Sequence, residues 1–235
     1  MASLYIHMAF SKLLNEELNL DEEQLMAGTL VADTCHFDED KYKEKSHFGS
    51  RIKKANTIMF ANKYKEHIKD PFILGYLAHL YIDECFYDEV IGENYKLISG
   101  KSYVDPNSMF IDKRTNEVKN YKEVYMVDNL YRDYALTSYP IYKKYNLKND
   151  ICLDNINKVV EEIDYNKIGE INKELEKYKP VPIEGETNCI DLNSINEFLI
   201  KHKRDFLKKY NDFISVQNNK LKKKSILVKE QIGKH

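Results

Sequence analysis

The chain has 235 residues, 43% of them hydrophobic, with 36 Lys plus Arg set against 38 Asp plus Glu. That length supports one sizeable core, and a formal charge of −2 excludes a global electrostatic drive toward nucleic acid. With 8 Gly, 5 Pro, 18 Tyr, 10 Phe and no Trp, long helices are favoured over an all-β fold with many tight turns.

In chain order, Leu4–Leu18 carries apolar residues at helical spacing, and Asp21-Glu-Glu-Gln24 resembles a capping box opening a second helix. That helix runs through Leu25, Met26, Leu30 and Val31 toward Asp33. The acidic stretch Asp38–Asp40 reads as a loop. His47 is expected near the start of another helix, continuing through Ile52, Ile58, Phe60 and Tyr64. Asp70-Pro71 fits an N-cap followed by proline at the first helical position. The segment 98–122 breaks the pattern: Gly100, Asp105-Pro106 and Thr115-Asn116 are turn signals, and Met109-Phe-Ile suits a short strand. A hairpin or irregular flap at 99–120 is expected, placed where it could cover a cleft. Helical periodicity resumes from Tyr121 to Tyr145, with Pro140 expected to kink or end it. A further amphipathic helix is expected over Asn155–Tyr178, then a loop at Lys179–Pro182 and Gly185, then a last long helix capped by Asn193. The tail after about residue 217, with Lys220 and Lys222–Lys224, is basic and is expected to fray. No internal repeat or linker divides the chain, so the expected architecture is a single all-α domain, residues 1–235.

The N-terminal stretch lacks a basic n-region and reads as no signal peptide, and no apolar run is long enough to span a bilayer. The four cysteines are scattered without a C-x-x-C pair, so neither a disulfide framework nor a thiolate zinc knuckle is expected. A cytoplasmic location is the simplest setting. Cys35 and Cys85 read as small buried residues.

The chemistry lies in five residues: His7, Asp33, His47, His79 and Asp83. His79 and Asp83 stand four apart in an apolar segment, about one helical turn, so their side chains leave the same face. A buried carboxylate is costly unless paired, hydrogen-bonded or bound to metal, and an imidazole one turn away is a natural co-ligand. Each residue alone has an ordinary explanation, as a core histidine or a helix end. Together they place His and Asp on consecutive helices, which is how helix bundles build metal sites.

The order His7, Gly28-x4-Asp33, His47-Phe48 and Gly75-x3-His79-x3-Asp83 resembles the zinc-dependent phospholipase C family, especially the shorter intracellular relatives of its secreted members. The likeness covers about the first ninety residues well and the rest loosely. It implies a helical bundle with zinc in a cleft and hydrolysis of phosphodiester bonds. It further implies that His47, His79, Asp83 and Asp33 hold one ion, that Asp83 bridges to a second served by His7, and that Asp33 is a general base. The chain departs from the family in three places. It has no Trp to begin the mature chain, it carries Glu89 where the secreted enzymes have a histidine six residues past the aspartate, and no His lies between His79 and His202. Glu89 and Asp133 are the candidate carboxylate replacements. The resulting expectation is one or two ions in an oxygen-richer site, zinc first, with iron or manganese also suited, and a small phosphoester as substrate. Two alternatives stand beside it. An HD-type nucleotide phosphohydrolase would need an adjacent His-Asp pair, which the chain lacks. A non-catalytic helical metal-binding or scaffold protein needs only the first site.

Overall fold

A computed structural model describes residues 2–37, 43–50, 52–125, 130–153 and 156–211. The acidic stretch at 38–40 and the basic tail after 217 lie outside those residues. The described chain is mostly helical with one small sheet. Its helices are α1 (Leu4–Leu18), α2 (Glu22–Val31), α3 (Lys43–Ser46), α4 (Thr57–Lys63), α5 (Pro71–Phe86), α6 (Gly92–Asn94), α7 (Tyr121–Tyr125), α8 (Leu130–Lys144), α9 (Ile168–Lys177) and α10 over 192–211. A 3-10 turn, Ala32–Phe37, follows α2, and a wider π-type turn, Tyr87–Ile91, follows α5.

The core is built around α5. Every residue from Phe72 to Asp83 is buried, so this helix is covered all round rather than on one face. It packs against α1, α2, α4 and the turn after α2. Asp70 caps it, accepting from the Phe72 amide at 2.9 Å, with Pro71 in its first turn. Asp21 likewise caps α2 by accepting from the Glu23 and Gln24 amides. From the C-terminal side, Phe206 of α10 packs edge-on against Phe10 of α1 and Tyr81 of α5, at centroid distances of 5.7 and 5.3 Å.

Two glycines set the closest helix crossing. A Cβ built on Gly28 of α2 would lie 1.9 Å from the Phe72 carbonyl oxygen, and one on Gly75 of α5 would lie 2.0 Å from the Leu25 oxygen. The backbones of α2 and α5 therefore touch, and this contact brings the end of α2, with Asp33 beyond it, alongside His79. Gly75→Ala is expected to destabilise the fold by about 3 kcal/mol, the upper end for overpacking, because the obstacle is backbone. Gly169 in α9 has nothing within 4 Å of a built Cβ, so Gly169→Ala should stabilise by up to about 1 kcal/mol. Urea midpoints that move alike in the two variants would contradict the crossing.

The insertion is a three-stranded antiparallel sheet, ordered β1 (Tyr95–Ser99), β2 (Met109–Asp112), β3 (Val118–Asn120). Tyr95 pairs with Asp112 and Met109 with Asn120, with a register shift between Leu97 and Ser99. Arg114 clamps its end, donating to Asp112 Oδ2 at 2.7 Å and to the Tyr95 hydroxyl at 2.9 Å.

Four expected elements differ. His47 follows the short α3 rather than opening a long helix; the chain then folds through an isolated bridge between Ser50 and Lys53 before α4 begins at Thr57. Pro140 does not end α8, which continues to Lys144. Residues 156–164 are not helical, because their backbone is spent on tertiary bonds: the Val160 amide donates to the Tyr165 hydroxyl and the Glu161 amide to the Tyr64 hydroxyl, each at 2.9 Å. Asp164 then accepts from the Asn166 amide and opens a 3-10 turn before α9. The last helix is capped by Asp191, which accepts from the Ser194 amide at 2.8 Å, and not by Asn193. No described helix is long and apolar enough to cross a membrane, and all four cysteines are free.

Candidate metal centre

Five side chains from separate parts of the chain converge beside α5. His79 and Asp83 leave one face of that helix. His7 comes from α1, and its ring stacks on the His79 ring with centroids 3.8 Å apart and planes 11° apart. Asp33 comes from the 3-10 turn after α2. His47 comes from the loop after α3, which three contacts fix in place. The Tyr76 hydroxyl donates to the Ser46 carbonyl at 2.6 Å, and the His47 carbonyl accepts from the Asn56 amide at 3.0 Å. Phe48 adopts a left-handed φ of 54° that turns the chain, letting the Gly49 amide reach back to the Glu44 carbonyl at 3.0 Å.

The donor atoms are close-set. His47 Nε2 lies 3.1 Å from His79 Nε2 and 3.4 Å from both Asp33 Oδ1 and Asp83 Oδ2. His79 Nε2 lies 3.7 Å from Asp33 Oδ1 and 3.9 Å from Asp83 Oδ2. A tetrahedron of donors at zinc bond lengths has edges of about 3.3–3.6 Å. The five separations among Asp33 Oδ1, His47 Nε2, His79 Nε2 and Asp83 Oδ2 given above, 3.1–3.9 Å, bracket that range and are compatible with a single ion of that kind. On its other side, Asp83 Oδ1 lies 3.4 Å from His7 Nε2 and accepts from the Ala2 amide at 3.3 Å.

Burial sharpens the case. His7, His79 and Asp83 are each 1% exposed and His47 is fully buried, while the Asp33 side chain is 19% exposed. Both ring nitrogens of His7 and Nδ1 of His79 lack hydrogen-bond partners among the described residues. Buried polar groups normally find partners, and an unpartnered one calls for an explanation, a bound ion being one. Burial, with His7 beside it, drives the His79 pKa well below its ordinary value, outweighing the opposite pull of Asp33 and Asp83. Its ring is neutral at physiological pH, the form that offers a lone pair to a metal. Ser46 Oγ sits 2.8 Å from His47 Nδ1. When Nδ1 donates that bond, Nε2 is left as the ligating nitrogen, the usual outer support of a metal-bound histidine. The residues present fit a bound ion.

Glu89 and Asp133, the two candidate replacements, are placed elsewhere. Six α-helical residues carry Glu89 about 240° round from Asp83, and the π-type turn alters its direction again. It is exposed and meets α10, where Lys201 donates to it and His202 Nε2 lies 2.9 Å from Oε2. Asp133 is fully buried but serves the backbone. Its Oδ1 accepts from the Asn188 amide at 2.8 Å, and its Oδ2 accepts from the Cys189 amide and, at 2.9 Å, from the Ile190 amide. Asp133 therefore ties α8 to the loop before α10. Asp133→Asn should destabilise the chain by about 2 kcal/mol, since a charged acceptor of backbone bonds is lost, and should leave its metal content unchanged. A loss of metal in the soluble variant would return Asp133 to the centre.

Cys35, expected to be a small buried residue, is buried and also lies beside the centre. It is 4% exposed, and its sulfur lies in one group with ligand atoms of Asp33 and His47, all within 4.8 Å of one another. Its position two residues past Asp33 was the available signal.

No family model, curated protein or solved structure matches the chain.

Proposed function

We propose that this chain is a metal-dependent phosphodiester hydrolase whose ion is held by Asp33, His47, His79 and Asp83. The observation that carries the reading is the set of 3.1–3.9 Å separations of the two histidine Nε2 atoms from each other and from an oxygen of Asp33 and of Asp83, drawn from three parts of the chain into the core. Two imidazole and two carboxylate donors suit zinc, and iron or manganese are also compatible with such a set. An ion there supplies Lewis acidity and a lowered water pKa, the chemistry phosphoester hydrolysis needs. The ordered residues that resemble the zinc-dependent phospholipase C family favour the same class of reaction.

The roles of the chain's own groups follow from their surroundings. His47 is oriented by Ser46, and His79 is kept neutral by burial. Asp83 turns one oxygen to the histidine pair and the other to His7 and the Ala2 amide. Asp33 is the most exposed of the five at 19%, so substrate and water approach from its side and it is placed to accept a proton. The decisive experiment is hydrolysis of a simple aryl phosphodiester, phosphatidylcholine vesicles and a dinucleotide by zinc-loaded protein. Turnover of any one that a chelator abolishes and zinc restores supports the reading; no turnover of all three overturns it. One observation favours a second reading, a structural ion: three of the four donors are within 1% of full burial. In that case, zinc raises the melting temperature and no substrate is turned over.

A further inference from the structure

We propose that Cys35 is a further donor at this centre, its thiolate making the site selective for a borderline or soft divalent ion over manganese and magnesium. The inference rests on the metal reading above and adds a ligand to it. Three observations carry it. The Cys35 sulfur, an Asp33 carboxylate oxygen and a His47 ring nitrogen lie within 4.8 Å of one another in a buried cluster. Asp33 and Cys35 leave the same 3-10 turn, two residues apart. Next to this cluster, across the 3.1 Å contact between His47 Nε2 and His79 Nε2, stands a second buried group of ligand-type atoms from His7, His79 and Asp83, in which both ring nitrogens of His7 and Nδ1 of His79 have no hydrogen-bond partner among the described residues.

The competing engagement of the thiol is weak. The Cys35 thiol donates one hydrogen bond, 3.7 Å from the Ala32 carbonyl oxygen, and a thiol is a weak donor. A metal-bound cysteine is a thiolate, so binding releases one proton from Cys35 to solvent and forms one sulfur–metal bond. Oxygen and imidazole donors alone accept manganese and iron readily, whereas thiolate shifts preference toward zinc.

Cobalt(II) tests this directly, because thiolate bound to cobalt gives a near-ultraviolet charge-transfer band that nitrogen and oxygen ligands do not. The other thiols interfere little. Burial pushes Cys85 up to about 12 and Cys189 up to about 11, so both stay protonated, and exposed Cys152 is removed by working in a Cys152→Ser background. The full chain loaded with cobalt is expected to show the band, and Cys35→Ser is expected to lose it while keeping the visible ligand-field absorption. In parallel, the preference for zinc over manganese should fall by about 10–100-fold in Cys35→Ser, at least the size seen when supporting partners of a metal site are removed. Cys35→Ala guards against oxygen ligation by the serine and should behave alike. Ligand-field absorption without the charge-transfer band in the parent would overturn the role of Cys35 and leave the metal centre standing, as would a band that survives Cys35→Ser. A chain that takes up no cobalt would overturn both.

Discussion

His79→Ala is expected to remove most of the bound metal. His79 Nε2 lies within 3.9 Å of donors from Asp33, His47 and Asp83, so it takes part in three of the close pairings in the centre. Alanine deletes one nitrogen donor and leaves His47 as the remaining imidazole between the carboxylates of Asp33 and Asp83, 3.4 Å from each. Supporting residues around metal sites typically contribute 10–100-fold to affinity, and a direct donor should contribute at least about that much. Metal per chain, measured by elemental analysis after dialysis against a weak chelator, should fall from at least one equivalent toward zero. Because His79 is also a core residue stacked on His7, the folded fraction must be checked alongside, and His79→Gln, which keeps more of the volume, should show the same loss. Unchanged metal content in either folded variant would remove His79 from the site.

Asp33→Asn is expected to lower turnover by about 10²–10⁴-fold, the usual contribution of a positioned general base. Asparagine keeps the shape of aspartate but takes no proton and is a poor metal ligand. Measuring rate and metal content together separates its two possible tasks. A rate loss with metal retained makes Asp33 the base. A rate loss accompanied by metal loss makes it a ligand through Oδ1. Full activity in the folded variant would exclude both. Substrate affinity should change far less than rate, since the carboxylate acts on the attacking water and not on the bound phosphoester.

Much of the centre was legible because α-helical periodicity converts sequence spacing into direction. His79 and Asp83 share a face for that reason, and the apolar residues around them imply burial. The two glycines of the ordered pattern, Gly28 and Gly75, prove to be the points where α2 and α5 touch backbone to backbone. That contact explains why Asp33 and His79 meet. What spacing does not carry is the direction of a chain after a turn. His47 sits in a loop held by the Tyr76 hydroxyl and a left-handed Phe48, long-range and local terms that no helical pattern encodes. Glu89 follows a π-type turn, and Asp133 finds its partners in amides 55–57 residues away. Both carboxylates have partners, Lys201 and His202 for Glu89 and three backbone amides for Asp133, that helical spacing does not reveal. The stretch at 156–164 misleads in the same way, since its helical pattern is overridden by bonds to Tyr64 and Tyr165. Cys35 is buried, as its sequence context implies, and a buried cysteine usually packs as a small apolar residue.

The most direct test of the metal centre is anomalous diffraction from crystals of the protein grown with zinc, recorded on both sides of the zinc absorption edge. The expected result is a peak enclosed by Asp33, His47, His79 and Asp83, with nitrogen and oxygen donors at about 2.0–2.2 Å. Crystals that show these side chains clearly with no anomalous peak among them, or with zinc bound only at another place, would contradict it.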